Sequence, residues 1–190
     1  MKAIMISIKP KYVADILNGK KTLEIRKTIP KCKLPIDVYI YCTKNEEIFK
    51  KANGQYYSYK NRSRCVYKGR LSNGLVVAKF TLNKVEEIRP FFHWCEELQK
   101  ATCLTCDEVL DYLDSKDKSA SNPKRQDKVY AWHIDNLKIF IPKPKELSEF
   151  KVRKYECNMP RYKVYTEYPL TRAPQSYMFI EIEQKHHKGI

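Results

Sequence analysis

The first 26 residues change hydrophobic period twice, which leaves few folds open. Ile4, Ile6 and Ile8 alternate with Ala3, Met5 and Ser7, the period of a strand from Ala3 to Ile8. Tyr12, Val13, Ile16 and Leu17 then recur at helical spacing. Pro10 suits the first turn of that helix, where a missing N–H costs nothing, and Gly19 after Asn18 suits its left-handed end. Strand spacing returns over Thr22 to Arg26, with Leu23 and Ile25 inward and Thr22, Glu24 and Arg26 on the opposite face. A chain built this way presents charged residues at alternate strand positions directly after a tight glycine turn.

The rest is strand-rich. Strands are expected at Ile36 to Cys42, at Leu75 to Leu82 with Val76, Ala78, Phe80 and Leu82 on one side, at Val129 to Ile134, at Leu137 to Ile141, and at Tyr177 to Ile182. Two helical pieces are expected, one over His93 to Lys100 and one beginning at Thr105. There the hydroxyl caps while Glu108 returns the bond. Regular βαβ alternation is missing, so the pattern predicts an α+β barrel-like sheet with short flanking helices. One domain is expected over 1–190, carrying basic insertions at about 43–72, 116–128 and 151–172.

Charge narrows the function. Lys and Arg number 37 against 22 Asp and Glu, a formal net charge of +15, which favours polyanionic partners and nucleic acid foremost. No apolar run reaches the ~20 residues of a membrane span, and the short apolar opening is read as the first strand of a cytoplasmic protein. The seven cysteines are scattered and odd in number, which points to reduced thiols. Cys103 and Cys106 form a lone CxxC, and with His93 and Cys95 they do not match a standard zinc spacing, so no metal is expected. No phosphate-loop motif occurs and no cofactor is expected.

Candidate site residues concentrate in Gly19 to Arg26. Lys21 is expected at the mouth of a cleft, with Glu24 and Arg26 beside it, exposed on the strand. Arginine offers a planar fork for phosphate or a base edge, and Glu24 can accept from an amino group. Lys9 and Lys20 flank the same helix and complete a basic rim. In the first insertion Arg62, Arg64 and Arg70 are interleaved with tyrosines, a composition suited to nucleic acid. Trp132 is a candidate base-stacking ring and His133 a candidate base.

The segment SIKPKYVADILNGKKTLEIRK resembles the opening of an ASCH domain, whose signature is GxKxxExR; Gly19, Lys21, Glu24 and Arg26 fit its four fixed positions. The resemblance continues in IDVYIYCT, GLVVAKFTLNKVEEI, YAWHI, NLKIFIPKPKELSEF and APQSYMFIEI. It is similar to versions often encoded by phages and mobile elements of bacteria. The resemblance implies a PUA-like β-barrel with a cleft beside the signature turn, and RNA or single-stranded nucleic acid as partner. Some relatives are enzymes: one deacetylates acetylcytidine and another is a ribonuclease. The catalytic lysine of that amidohydrolase matches Lys21, while its threonine falls on Glu24. Its glutamate falls in Gln99 to Thr102, which holds no acid; Glu97 is the nearest. On that reading Lys21 and Glu24 would be the catalytic candidates, with Thr22 as a substitute nucleophile. A nucleoside-like ligand, or a host protein as partner, are the other readings.

Overall fold

The computed structural model describes residues 1–44, 47–50, 53–59, 70–71, 74–114, 128–141, 143–159 and 162–182. The chain runs β1 (Lys2–Ile8), α1 (Pro10–Leu17), β2 (Leu23–Arg26), β3 (Ile36–Cys42), β4 (Glu47–Lys50), β5 (Tyr56–Tyr59), β6 (Arg70–Leu71), β7 (Val76–Leu82) and β8 (Val85–Ile88). There follow α2 (Pro90–His93), α3 (Glu96–Thr102), α4 (Cys106–Asp114), β9 (Val129–His133), β10 (Asp135–Ile139), a 3-10 turn at Leu147–Glu149, β11 (Lys151–Met159), β12 (Tyr162–Pro169) and β13 (Tyr177–Glu181).

A seven-stranded sheet has the order β10-β7-β3-β1-β13-β11-β12, and only the β1–β3 pair in it is parallel. A second sheet has the order β2-β9-β8 and a third β5-β4-β6. The first two are halves of one barrel-like wall, because β7 turns into β8 through Asn83 and Lys84 while β9 bends into β10 at Ile134. Asn136 takes a positive φ of 50° at that bend. The described strands do not close into a continuous barrel. At the seam between β2 and β1 a side chain replaces the ladder: Arg26 donates from Nη2 to the Ser7 carbonyl at 3.0 Å and from Nη1 to the Ser176 carbonyl at 3.2 Å.

Alternation places the core as expected. Ile4, Ile6 and Ile8 of β1 meet Val38, Ile40, Phe80, Leu82 and Trp132 under α1, while Ala3 and Met5 face a second cluster with Tyr39, Tyr41 and Phe150. Val76 departs from the expected face. A register irregularity between Ile40 and Tyr41 pairs Tyr41 with Val76, so Val76 joins the second cluster and Val77 packs inward with Ala78. Leu23 and Ile25 pack with Val109, Leu113, Val129 and Ala131, which docks α4 on the small sheet.

Two of the expected basic insertions carry secondary structure. The first contributes β4, β5 and β6 rather than a bare loop, and Asn18 holds it against α1 by donating from Nδ2 to the Tyr56 carbonyl at 2.6 Å and accepting from the Tyr56 N–H at 2.7 Å. Arg62 and Arg64 lie outside the described residues. Arg70 starts β6, opposite Phe49. The third forms the β11–β12 hairpin. Residues 115–127, nearly all of the second, also lie outside the described ones. Among the described residues no helix is long and apolar enough to cross a membrane.

Candidate functional site

The glycine turn is built as the sequence predicts. Gly19 sits at φ +71°, its N–H bonds the Ile16 carbonyl at 2.9 Å and the Lys20 N–H bonds the Asp15 carbonyl at 2.9 Å. These are the two bonds of a Schellman end. The Lys21 N–H also reaches the Asp15 carbonyl, at 3.1 Å, and this fixes where the lysine leaves the helix.

The side chains that follow are not exposed. Lys21, Glu24 and Arg26 retain 2%, 8% and 5% of their accessible surface. The expectation of an exposed Glu–Arg pair with Lys21 at the cleft mouth is therefore corrected: the three form a buried network on the cleft floor. Glu24 forms an ion pair with both cations, at 3.0 Å from Arg26 Nη2 and 3.4 Å from Lys21 Nζ. Lys21 Nζ also donates to the Thr102 carbonyl at 2.6 Å. That carbonyl ends α3, where the helix dipole is negative and a cation is stabilised. The Arg26 fork is already occupied by Glu24, Ser7 and Ser176, so it is a staple between sheets rather than an open phosphate clamp. Its Nε is buried and has no hydrogen-bond partner among the described residues.

Above this floor lies a cleft of about 620 Å³, bounded by Ser7, Ile8 and Lys9 on one side, Leu104, Glu108, Asp111 and Tyr112 on another, and Tyr12, Thr43, Gln175 and Ser176 around the rim. It opens at the seam where the barrel fails to close. Three lining cations, Lys9, Lys21 and Arg26, meet three lining carboxylates, Glu24, Glu108 and Asp111. The cleft is thus electroneutral within a chain of net charge +15. Two phenols face it. Burial first, then Glu108, raises the Tyr12 pKa above its ordinary value. Burial raises that of Tyr112 against the opposing effect of Arg26. Both rings are neutral at physiological pH. The Lys21 ammonium lies 5.4 Å from the Tyr12 ring centre.

Other predicted residues fall elsewhere. Lys9 lines the cleft and is exposed; Lys20 is exposed beside the turn. Trp132 is fully buried in the main core, against the Tyr177 ring at 5.6 Å, so it is a core residue and not the stacking platform expected of it. Its neighbours on the strand alternate apolar inward, which is the pattern that hid it. Thr22 is exposed and is not among the cleft-lining residues; its backbone instead bonds Ala101 and Ile134. Glu97 is exposed on α3, and His133 lies 3.4 Å from Glu86, away from the cleft. Cys103 and Cys106 turn their sulfurs to different carbonyls, those of Lys100 and Pro90. Sequence reasoning missed Asp111, Tyr112 and Thr43, and read Tyr12 as core and Glu108 only as a cap. Glu108 does close the capping box, accepting from the Thr105 N–H at 2.9 Å. Its spacing of three and four to Asp111 and Tyr112 was the available signal for one cleft-facing stripe.

Fold and site together define a PUA-like domain with an open cleft at its glycine turn. The chain belongs to the ASCH domain family, whose model matches residues 6–144; this PUA-like family is often associated with RNA binding. A crystal structure of an ASCH protein from Zymomonas mobilis is similar over 94% of this chain and 87% of its own, at 16% identity and a TM-score of 0.49. A mutant of that protein aligns over 94% and 88%, at 17% identity and a TM-score of 0.51. Identities this low speak for the fold alone. No curated protein matches the sequence.

Proposed function

We propose that the protein binds single-stranded RNA and seats one nucleobase in the cleft, with the phosphates held outside by exposed lysines. The observation that carries this reading is the electroneutral cleft inside a chain of +15. A phosphate entering it would meet the carboxylates of Glu24, Glu108 and Asp111, while Lys21 and Arg26 already share Glu24. A flat, uncharged, hydrogen-bonding ring meets no such penalty. Glu24 and Asp111 supply acceptors, the Thr43 hydroxyl and Arg26 Nε are buried polar atoms without a hydrogen-bond partner among the described residues, and Tyr12 and Tyr112 supply aromatic faces. The cleft volume falls in the ordinary range of small-ligand sites. Lys9, Lys11 and Lys20 are exposed around helix α1 and suit the anionic backbone.

Fluorescence anisotropy with a labelled single-stranded RNA 12-mer across a salt series tests this. The affinity should fall steeply with salt, because each phosphate contact releases counterion. Tyr112→Ala should weaken binding about tenfold, the scale of one lost stacking contact. Absent binding at low salt, or a salt-independent affinity, contradicts the reading.

A further inference from the structure

The β11–β12 hairpin lies beyond the residues that match the family, and nothing in the cleft accounts for it. Its two strands pair from Lys151↔Pro169 to Met159↔Tyr162, yet among the described residues β11 pairs with β13 through Lys151↔Glu181 alone. At roughly 3.3 Å per residue the stretch of β11 beyond that pair is about 25 Å long, and near its start Arg153 Nε still lies 3.8 Å from Glu181 of β13. Its base is packed: Phe150 and Leu170 belong to the second core cluster and Val152 packs against it. β11 runs antiparallel to β13, so it leaves the sheet heading towards the Tyr177 end of that strand. The residues just before that end, Gln175 and Ser176, line the cleft.

Both faces of the ribbon carry the same pairing of a cation with an exposed ring. On one, the half-exposed Arg153 guanidinium lies 5.8 Å from the centre of Tyr165, with Glu167 at 3.6 Å and Glu181 at 3.8 Å as its ion-pair partners. On the other, Lys154 Nζ lies 5.2 Å from the centre of Tyr168. The two rings are 47% and 39% exposed. Residues 151–169 hold five Lys or Arg against Glu156 and Glu167. Glu156 is itself engaged, accepting from the Tyr168 hydroxyl at 2.7 Å, and hydrogen bonds from Thr166 and Tyr168 hold its carboxyl below the ordinary range. Exposed rings beside cations are the combination that tracks unpaired bases and phosphates. The segment 85–114 is the opposite, with eight Asp or Glu against Arg89 and Lys100, and would repel the same strand.

We propose that the β11–β12 ribbon is a second contact for single-stranded nucleic acid, holding the strand as it leaves the cleft, its tyrosines stacking on bases and Arg153 and Lys154 on phosphates. This rests on the reading that the protein binds RNA. It is separable from that reading because a short ligand fills the cleft without reaching the arm. The ribbon suits an unpaired strand better than duplex RNA, whose deep groove is too narrow to admit it.

The test compares a labelled RNA dinucleotide, a single-stranded RNA 12-mer and a duplex of the same 12-mer, each titrated into the full chain and two arm variants. In Tyr165→Ala/Tyr168→Ala the 12-mer should bind about tenfold more weakly or worse, with the dinucleotide unchanged. In Arg153→Ala/Lys154→Ala the slope of log affinity against log salt for the 12-mer should fall by about 1.4, the value for two lost contacts to a single strand. Tyr165→Phe/Tyr168→Phe keeps the rings and should bind as the parent does, which separates stacking from loss of the ribbon. An arm variant that binds the 12-mer like the parent overturns the proposal while the cleft reading stands. So does a duplex that binds as tightly as the single strand. Failure of all three RNAs to bind overturns both.

Discussion

Glu24→Gln should be the most damaging single substitution in the protein's signature turn. The change keeps the shape and removes the one anion shared by Lys21, at 3.4 Å, and Arg26, at 3.0 Å. Two cations then remain at the cleft floor with their common counterion gone. Removing one partner of a buried ion pair costs about 3–5 kcal/mol, and all three groups here are more than nine-tenths buried. For a domain of this size each kcal/mol lowers the melting temperature by roughly 2–4 °C, so a fall of about 10 °C is expected. Lys21→Met should cost less, because Glu24 keeps Arg26. The double variant Glu24→Gln/Lys21→Met should be more stable than the sum of its singles by about 1–3 kcal/mol, since the second change removes one of the stranded charges. Thermal melts and urea titrations of the four proteins supply the cycle. A Glu24→Gln protein melting within about 3 °C of the parent, or a strictly additive double variant, would refute the buried network and return the pair to an exposed ion pair of small worth.

Gly19→Ala should cost about 1–2 kcal/mol, read by thermal melting. Nothing lies within 4 Å of an added Cβ, so the penalty is the left-handed backbone alone. Asn18→Ala removes both hydrogen bonds to Tyr56 and should lower stability by about 1–3 kcal/mol, loosening the small sheet from α1; hydrogen exchange at the β5 amides would report it. The raised phenols of Tyr12 and Tyr112 keep their protons more tightly in the folded chain than in the unfolded one. Their contribution to stability is full below about pH 10 and is lost as pH climbs through the folded values, so Tyr12→Phe should flatten the alkaline side of a melting-temperature profile. RNA affinity should show no step from these groups between pH 7 and about pH 9.

Where residues alternate or cap, the sequence was readable. The isoleucines of β1 declared a strand buried on its inner face, Asn18-Gly19 declared the helix end, and Thr105 with Glu108 declared the start of α4, because each is a local rule met by local residues. The Gly19 to Arg26 signature marked the cleft correctly as a place and incorrectly as an exposed surface. Burial of Lys21 depends on the Thr102 carbonyl, 81 positions away, and no local pattern reveals such a partner. Trp132 has the same origin: an aromatic at an inward strand position reads equally as platform or core until the opposing sheet is in place. Val76 was assigned to the wrong face because one irregularity shifts everything before it by a residue. Asp111 and Tyr112 escaped notice because a polar helix face looks solvated in sequence whether it meets water or a cleft.

The central claim is that the cleft at the unclosed seam takes a nucleobase. A structure of the protein with a bound RNA dinucleotide tests it most directly. One base is expected inside the cleft, stacked on Tyr12 or Tyr112 and within hydrogen-bond distance of Glu24, Asp111 or the Thr43 hydroxyl, with the phosphate outside near Lys9. A phosphate seated on Lys21 and Arg26 with the base in solvent, or an RNA bound only at the surface with the cleft empty, would contradict it.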